Sequence, residues 1–434
     1  MALSKEISSS VPVRNNNWKI LTDRFLQVRK HTEFICETLE KEDFVVQPVV
    51  DVSPPKWHLG HTTWFFENFI LKEYKAGYEV FHPRYNFLFN SYYETVGDRW
   101  ERPKRGQLTR PTVDEVFAYR KHVTEHVAEL LGSGLFRDEE RVKYILTIGL
   151  QHEQQHQELM IYDIKYILGQ NPLKPVYRPD NKVPSARRAA PFQMLEMPEG
   201  LYEIGATGNE EFAFDNEFGR HKVYLEPYRI GNRLVTNGEY LEFMESGAYT
   251  DFRYWLSEGW DWVNREEPKA PLYWYRQDNE WWYYTMNGPE RVRMEEPVTH
   301  VNYFEANAYA CYKDLRLPTE FEWEAACSKY QPMPSEEANL VDSGNFRPVT
   351  CQSGNYQFFG DGWEWTQSAY HAYPYYECED GALGEYNGKF MINQMVLRGG
   401  SCATPPDHIR ATYRNFFHPH LRWLFTGIRL AENI

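Results

Sequence analysis

The sequence predicts a two-part molecule: an all-α first part, followed by a larger α+β part with much irregular backbone. Three observations predict this. Residues 18–168 carry four long stretches with apolar residues at three- and four-residue spacing. Residues 170–191, "QNPLKPVYRPDNKVPSARRAAP", hold five prolines and little apolar content. Beyond them, short alternating stretches sit between pieces rich in Gly, Asn and Trp. The expected division is therefore a helical domain over 1–170, a linker over 171–190 and an α+β domain over 191–434.

Taken in order, the helical stretches run from Trp18 to about Leu39, Lys56 to about Tyr74, Val113 to about Leu131 and Glu139 to about Leu168. Breaks such as Ser53-Pro54-Pro55 and Gly132-Ser133-Gly134 separate them. Four such helices imply a bundle. The segment after Asn86, "FLFNSYYETVGDRWERPKRGQLTRP", has no clear period and reads as a loop between helices, and loops that long inside a compact domain are often functional. In the second part, Leu201–Ile204, Lys222–Leu225, Pro297–Val301 and Val396–Arg398 read as strands. Brief helical runs are expected near 236–246, 304–314 and 320–328. No internal repeat of solenoid period is visible.

Composition narrows the function. The 434 residues carry a formal net charge of −15, which gives no general attraction to phosphate backbones or anionic lipid, so nucleic acid and membrane surfaces are not expected partners. The start, MALSKEISSSVPVRNNNW, lacks the apolar core of a secretion signal, and no run of about 18 apolar residues occurs, so a cytoplasmic protein is expected. Six scattered cysteines without a CxxC favour reduced thiols. The aromatic content of 16% suits pockets for flat or cationic ligands, although packing accounts for most such residues.

The stretch "LQHEQQHQELM" contains His152-Glu153-Gln154-Gln155-His156. On a helix Ile145, Gly149, His152, His156, Leu159 and Asp163 form one stripe, so the two imidazoles stand one turn apart on the face directed into the bundle, where they can share a metal ion. The plainer alternative is a pair of buried, hydrogen-bonded histidines. Glu158 lies roughly 200° around the helix from His156 and reads as an outer-face or supporting carboxylate. A third ligand is available from His58 or His61 in "PPKWHLGHTTWFFE"; the one not used would be a cap or surface residue. A zinc hydrolase would instead use Glu153 as general base.

The whole series of motifs resembles a known family. Pro55-Lys56-Trp57-His58-Leu59-Gly60-His61 followed by His152-xxx-His156-x-Glu158 is similar to the DinB-like four-helix bundle of the ergothioneine-pathway sulfoxide synthases, the EgtB family. The second part resembles the formylglycine-generating-enzyme (sulfatase-modifying factor) domain, of C-type-lectin-like α+β fold, that follows it there. Its marks include Val235-Thr236-Asn237-Gly238-Glu239-Tyr240, Arg316-Leu317-Pro318-Thr319-Glu320, Gly362-Trp363-Glu364-Trp365-Thr366, Leu397-Arg398-Gly399-Gly400-Ser401 and Gly427-Ile428-Arg429. Formylglycine generators carry two copper-binding cysteines after Arg-Gly-Gly-Ser. Thr404 and Ile409 stand there in this chain, with Cys402 alone.

The resemblance implies a non-haem iron(II) enzyme that uses O2 to join the sulfur of cysteine, or of γ-glutamylcysteine, to the imidazole of hercynine (trimethylhistidine) with oxidation of the sulfur. It carries the three iron-binding histidines onto His61, His152 and His156, and the substrate-binding positions onto Gln155 and Asn415. Phe416 and Phe417 are candidates for the substrate's quaternary ammonium. Mycobacterial-type members read Asn-Trp-Asp where this chain reads Asn415-Phe416-Phe417, a change that resembles members accepting free cysteine. A tyrosine is expected as proton donor: Tyr93 first and Tyr92 second, with Tyr370 and Tyr373 as the other source. Arg84 and Arg398 are candidates for substrate carboxylates. The rival readings are a zinc-dependent hydrolase or DinB-type thiol transferase, and a non-catalytic lectin-like binding protein.

Overall fold

In the computed structural model the described residues are 14–434, apart from 92, 135, 180–183, 186, 353, 355, 379–383, 385 and 386. The chain opens with four long helices: α1 (Arg14–Cys36), α2 (Pro55–Phe66), α3 (Val113–Ser133) and α4 (Glu139–Gln170). The starts of α2, α3 and α4 have local causes. Pro55 sits in the first turn of α2, where its missing N–H costs nothing. Thr112 and Glu115 form a reciprocal capping box on α3, and the Asp138 side chain accepts the Arg141 N–H at the head of α4. Beyond Phe66 the helix widens through one π-type turn, Glu67–Leu71, whose Glu67 carboxylate is held by the hydroxyls of Tyr78 and Tyr119.

The four helices form a bundle in which α2 packs on both α3 and α4. Gly149 makes the α2–α4 crossing close, because a Cβ there would stand 2.6 Å from Phe66 and 2.8 Å from Phe65. That approach brings the histidines of the two helices together.

The second part is built from small sheets joined by irregular backbone. Tyr228–Gly231 runs antiparallel between Met194–Met197 and Ala431–Asn433. A four-stranded sheet has the order Asn415–Phe417, Met395–Arg398, Trp363–Ala369, Thr426–Gly427, with the last strand parallel to its neighbour. Helices Asn237–Glu245, Tyr303–Tyr312 and Glu320–Tyr330 stand close to the expected runs, each opened by a capping box. Pro297–Val301 is not a strand. Its backbone makes one isolated bridge, Thr236 to Pro297, and His300 takes a left-handed φ of 63°, which breaks the extended pattern that the alternating residues suggested. The helix Ser257–Glu266 and the meander Trp274–Gln277, Glu280–Thr285, Gly288–Arg291 were not anticipated.

The two parts meet along α4. Between Ile148 and Gly169 no residue of this helix is exposed: one side faces the bundle and the other is embedded in the second part. Among the described residues no helix is long and apolar enough to cross a membrane.

Candidate metal centre

His61 on α2 and His152 and His156 on α4 each offer a ring nitrogen, all within 4.8 Å of one another. The closest pair, Nε2 of His61 and Nε2 of His152, is 3.1 Å apart. Two nitrogens bound to one ion at about 2.1 Å sit roughly 3 Å apart, so the spacing fits a shared metal. Protonation is disfavoured at all three rings, mainly by burial and also by neighbouring histidines: His152 is lowered to about 3, and His61 and His156 well below the usual histidine range. Neutral imidazoles are the ligating form.

The rings are oriented by groups around them. His61 Nδ1 donates to the carbonyl of Phe89 at 2.6 Å, which leaves Nε2 as its lone-pair nitrogen. The same ring is stacked between Trp57 and Trp64, nearly parallel to both. Phe65 packs on His152 at 5.0 Å. His156, Gln155 and Leu159 are only half-buried, so the cluster opens on that side of α4.

His58 is neither a cap nor a surface residue. It is buried, its Nε2 lies 2.9 Å from Asp163 Oδ2, and its Nδ1 lies 2.8 Å from Nδ1 of His156. Glu153 is turned away from the cluster. Its oxygens take Arg120, Arg29 and the hydroxyl of Thr32, at 2.5, 3.1 and 2.6 Å. The two guanidiniums overcome the burial penalty and hold the carboxyl down at about 2. A fully buried carboxylate committed to two arginines cannot serve as the general base that the HExxH string would suggest.

Glu158 is also not on an outer face. It lies in the seam with the second part, accepting from Ser401 (2.6 Å), Thr404 (2.6 Å), Trp363 (2.8 Å) and Tyr162. Burial raises its pKa despite these donors. Further contacts of α4 with the second part are Gln151 to His408, Gln155 donating to Tyr413 at 2.7 Å, Asp163 accepting from Trp423, and Lys165 reaching His300. The side of the helix that carries Glu158 is a domain interface.

The remaining expected residues are distributed as follows. Tyr93 is fully buried against Trp64 and Phe69, which places its ring beside those that pack on His61 and on Phe65. Tyr92 lies outside the described residues. Tyr370 and Tyr373 are committed within the second part: the Tyr370 hydroxyl accepts from Asn216, and the Tyr373 hydroxyl donates to Glu320.

Asn415, Phe416 and Phe417 form an edge strand, so alternate side chains leave opposite faces. Phe416 stacks on Tyr370 at 4.1 Å, whereas Phe417 packs on Trp423, the tryptophan that holds Asp163. The two phenylalanines therefore do not flank one ligand. Arg398 is buried in ion pairs with Glu320 and Glu324 and is not open to a substrate, and Arg84 is an exposed residue at the head of the short helix Tyr85–Phe89.

The arginine that the sequence did not single out is Arg105. It is buried, stacked over Trp57 at 3.2 Å, and bonded to the hydroxyls of Ser53 and Ser91, with no carboxylate of the described residues paired to it. Burial lowers its pKa, the expected cost of a guanidinium lacking a counter-ion. Its place in an aperiodic loop gave no signal.

Comparison with known proteins agrees with this two-part architecture. The DinB superfamily model matches residues 24–160, and the Sulfatase-modifying factor enzyme 1-like domain model matches residues 180–434. Two relatives named "Hercynine oxygenase" are each 29% identical. The one from Mycobacterium tuberculosis aligns over 414 residues, 88% of this chain and 92% of that protein, and the one from Mycolicibacterium smegmatis over 412 residues with the same coverage. "Ergothioneine biosynthesis protein 1" of Schizosaccharomyces pombe is 28% identical over 51% of this chain and 28% of its own length. The chain belongs to the sulfatase-modifying factor enzyme 1-like family, in the two-domain form in which a DinB helical domain comes first.

Proposed function

We propose that this protein is an iron(II)- and dioxygen-dependent sulfoxide synthase that joins the sulfur of cysteine, or of γ-glutamylcysteine, to the imidazole C2 of hercynine and oxidises that sulfur. The observation that carries the reading is a cluster of three neutral imidazoles, two buried and one half-buried, at the seam of these two domains, in a chain that aligns over 88% of its length with proteins named "Hercynine oxygenase". His61, His152 and His156 would hold the ion, and a ferrous ion bound there supplies open coordination positions and the electrons for dioxygen chemistry.

The chain's own residues divide the other tasks. The three ligands are uncharged, so a thiolate arriving at the cluster is the first anion to do so and is favoured over the thiol. Gln155, half-buried on the open side of the cluster, orients the substrate imidazole. Asn415 and Phe417 leave the edge strand on one face. Asn415 helps hold that substrate, and Phe417 offers its ring to the trimethylammonium, a contact of about 0.5–2 kcal/mol. Arg105 is a cation that can meet a substrate carboxylate. Tyr93 holds the proton delivered as oxygen is reduced, with Tyr92 next in line. Phe417 stands where mycobacterial-type members carry Asp, and the loss of that carboxylate favours cysteine over γ-glutamylcysteine as thiol donor.

The test is anaerobic reconstitution with ferrous iron, followed by exposure of the protein, hercynine and cysteine to dioxygen. A carbon–sulfur product that requires both iron and dioxygen is expected. Stoichiometric zinc in the purified protein with no dioxygen-dependent turnover would overturn the proposal. Competition between cysteine and γ-glutamylcysteine in one mixture decides the thiol donor.

A further inference from the structure

His58 is a buried histidine outside the three-ligand cluster, and its contacts run in one direction. Asp163 is a carboxylate and accepts only. Its Oδ2 takes the Ser53 N–H at 2.9 Å and lies 2.9 Å from His58 Nε2, while its Oδ1 takes the indole N–H of Trp423 at 3.0 Å. With Nε2 carrying the proton, the neutral ring of His58 has its lone pair at Nδ1, which faces Nδ1 of His156 at 2.8 Å. His156 must then donate from Nδ1, and its lone pair is fixed at Nε2.

We propose that Asp163 and His58 are positioning residues for the metal site: they set the tautomer and ring orientation of His156, and the second domain completes the chain through Trp423. The inference rests on the reading of His61, His152 and His156 as metal ligands. Supporting partners of a ligating histidine commonly change metal affinity 10–100-fold. Here the carboxylate acts through an intervening imidazole, and one of its donors comes from the other domain, so domain docking and ligand orientation share one hydrogen-bonded path.

The test is titration of the metal-free, full-length protein with cobalt(II), reading affinity and the visible ligand-field spectrum. The melting temperature of each metal-free variant monitors the fold. His58→Phe keeps a ring but removes both polar contacts and is expected to weaken cobalt binding about 10–100-fold and shift the spectrum. His58→Asn places a carbonyl oxygen near the position of Nδ1, so it should bind cobalt more tightly than His58→Phe despite its smaller volume. Packing alone predicts the opposite order.

Trp423→Phe, away from the cluster, should weaken binding several-fold, and an unchanged affinity would remove the interdomain leg. His152→Ala separates the two levels of the argument. If it binds cobalt like the parent, the three-histidine reading itself fails. If it loses cobalt while His58→Phe keeps both affinity and spectrum, or if His58→Phe binds at least as tightly as His58→Asn, the positioning role is wrong.

Discussion

Substituting Glu153 by Gln separates two accounts of the same sequence motif. If Glu153 were a catalytic base, Glu153→Gln would abolish turnover and leave the fold intact. The structure makes it instead the shared counter-ion of Arg29 and Arg120, all three side chains being at most 2% exposed. The amide keeps the shape but strands two buried guanidiniums, and breaking a buried pair on one side costs about 3–5 kcal/mol. The contact of Arg120 with half-exposed Glu33 at 3.1 Å places the expectation at the lower end.

Unfolding entropy is about 2.1 cal/mol/K per residue, so a helical domain of the span 24–160 melting alone would lose roughly 10 °C for about 3 kcal/mol. If all 434 residues melt together, the same energy moves the transition by only about 3 °C. Differential scanning calorimetry reads the shift and also shows which unit melts, while cobalt binding below the transition should persist. A transition unmoved within about 1 °C, combined with complete loss of turnover, would refute the ion-pair assignment.

Three further outcomes are expected. Because the folded-state pKa of Glu153 lies below its unfolded value, its contribution is complete above about pH 4.5 and is lost as pH falls toward about 2. The stability gap between wild type and Glu153→Gln, up to about 3 kcal/mol from that shift, should therefore narrow in denaturant titrations between pH 5 and pH 3. Gly60→Ala would place a Cβ 2.1 Å from the ring of Phe89, whose carbonyl orients His61, so a destabilisation of about 1–3 kcal/mol together with weakened cobalt binding should be seen by melting and titration. Tyr93→Phe should suppress carbon–sulfur bond formation more than dioxygen consumption, diverting thiol to sulfinate in a product analysis by mass spectrometry. If the partition is unchanged in both Tyr93→Phe and Tyr92→Phe, the proton comes from elsewhere.

The parts of this molecule that were legible in its sequence are those governed by one element at a time. The 3.6-residue period and the Pro and Gly breaks placed the four helices within a few residues of Arg14–Cys36, Pro55–Phe66 with its extension, Val113–Ser133 and Glu139–Gln170. The i, i+4 rule put His152 and His156 on one face. The rule does not extend across helices. From sequence alone His58, the histidine not taken as third ligand, has a cap or surface role, because only the crossing of α2 and α4 reveals that His58 lies between His156 and Asp163.

The outer-face alternative for Glu158 fails for a related reason. A helix in a single domain hides one side and wets the other, whereas α4 has a second domain on the side that would otherwise be wet. Pro297–Val301 has strand-like residues but lacks a partner ladder, which sequence alternation cannot report. Arg105 carried no positional signal at all.

The absence of an exposed residue on α4 between Ile148 and Gly169 has an evolutionary consequence. Most helices own a neutral strip on which drift is silent. This one has none over that span, so a change there is felt by one of its two neighbours. Lineages of this architecture should therefore alter the helix only through paired replacements, and a graft of one half onto an unrelated partner should fail at this rod before it fails at the ligands.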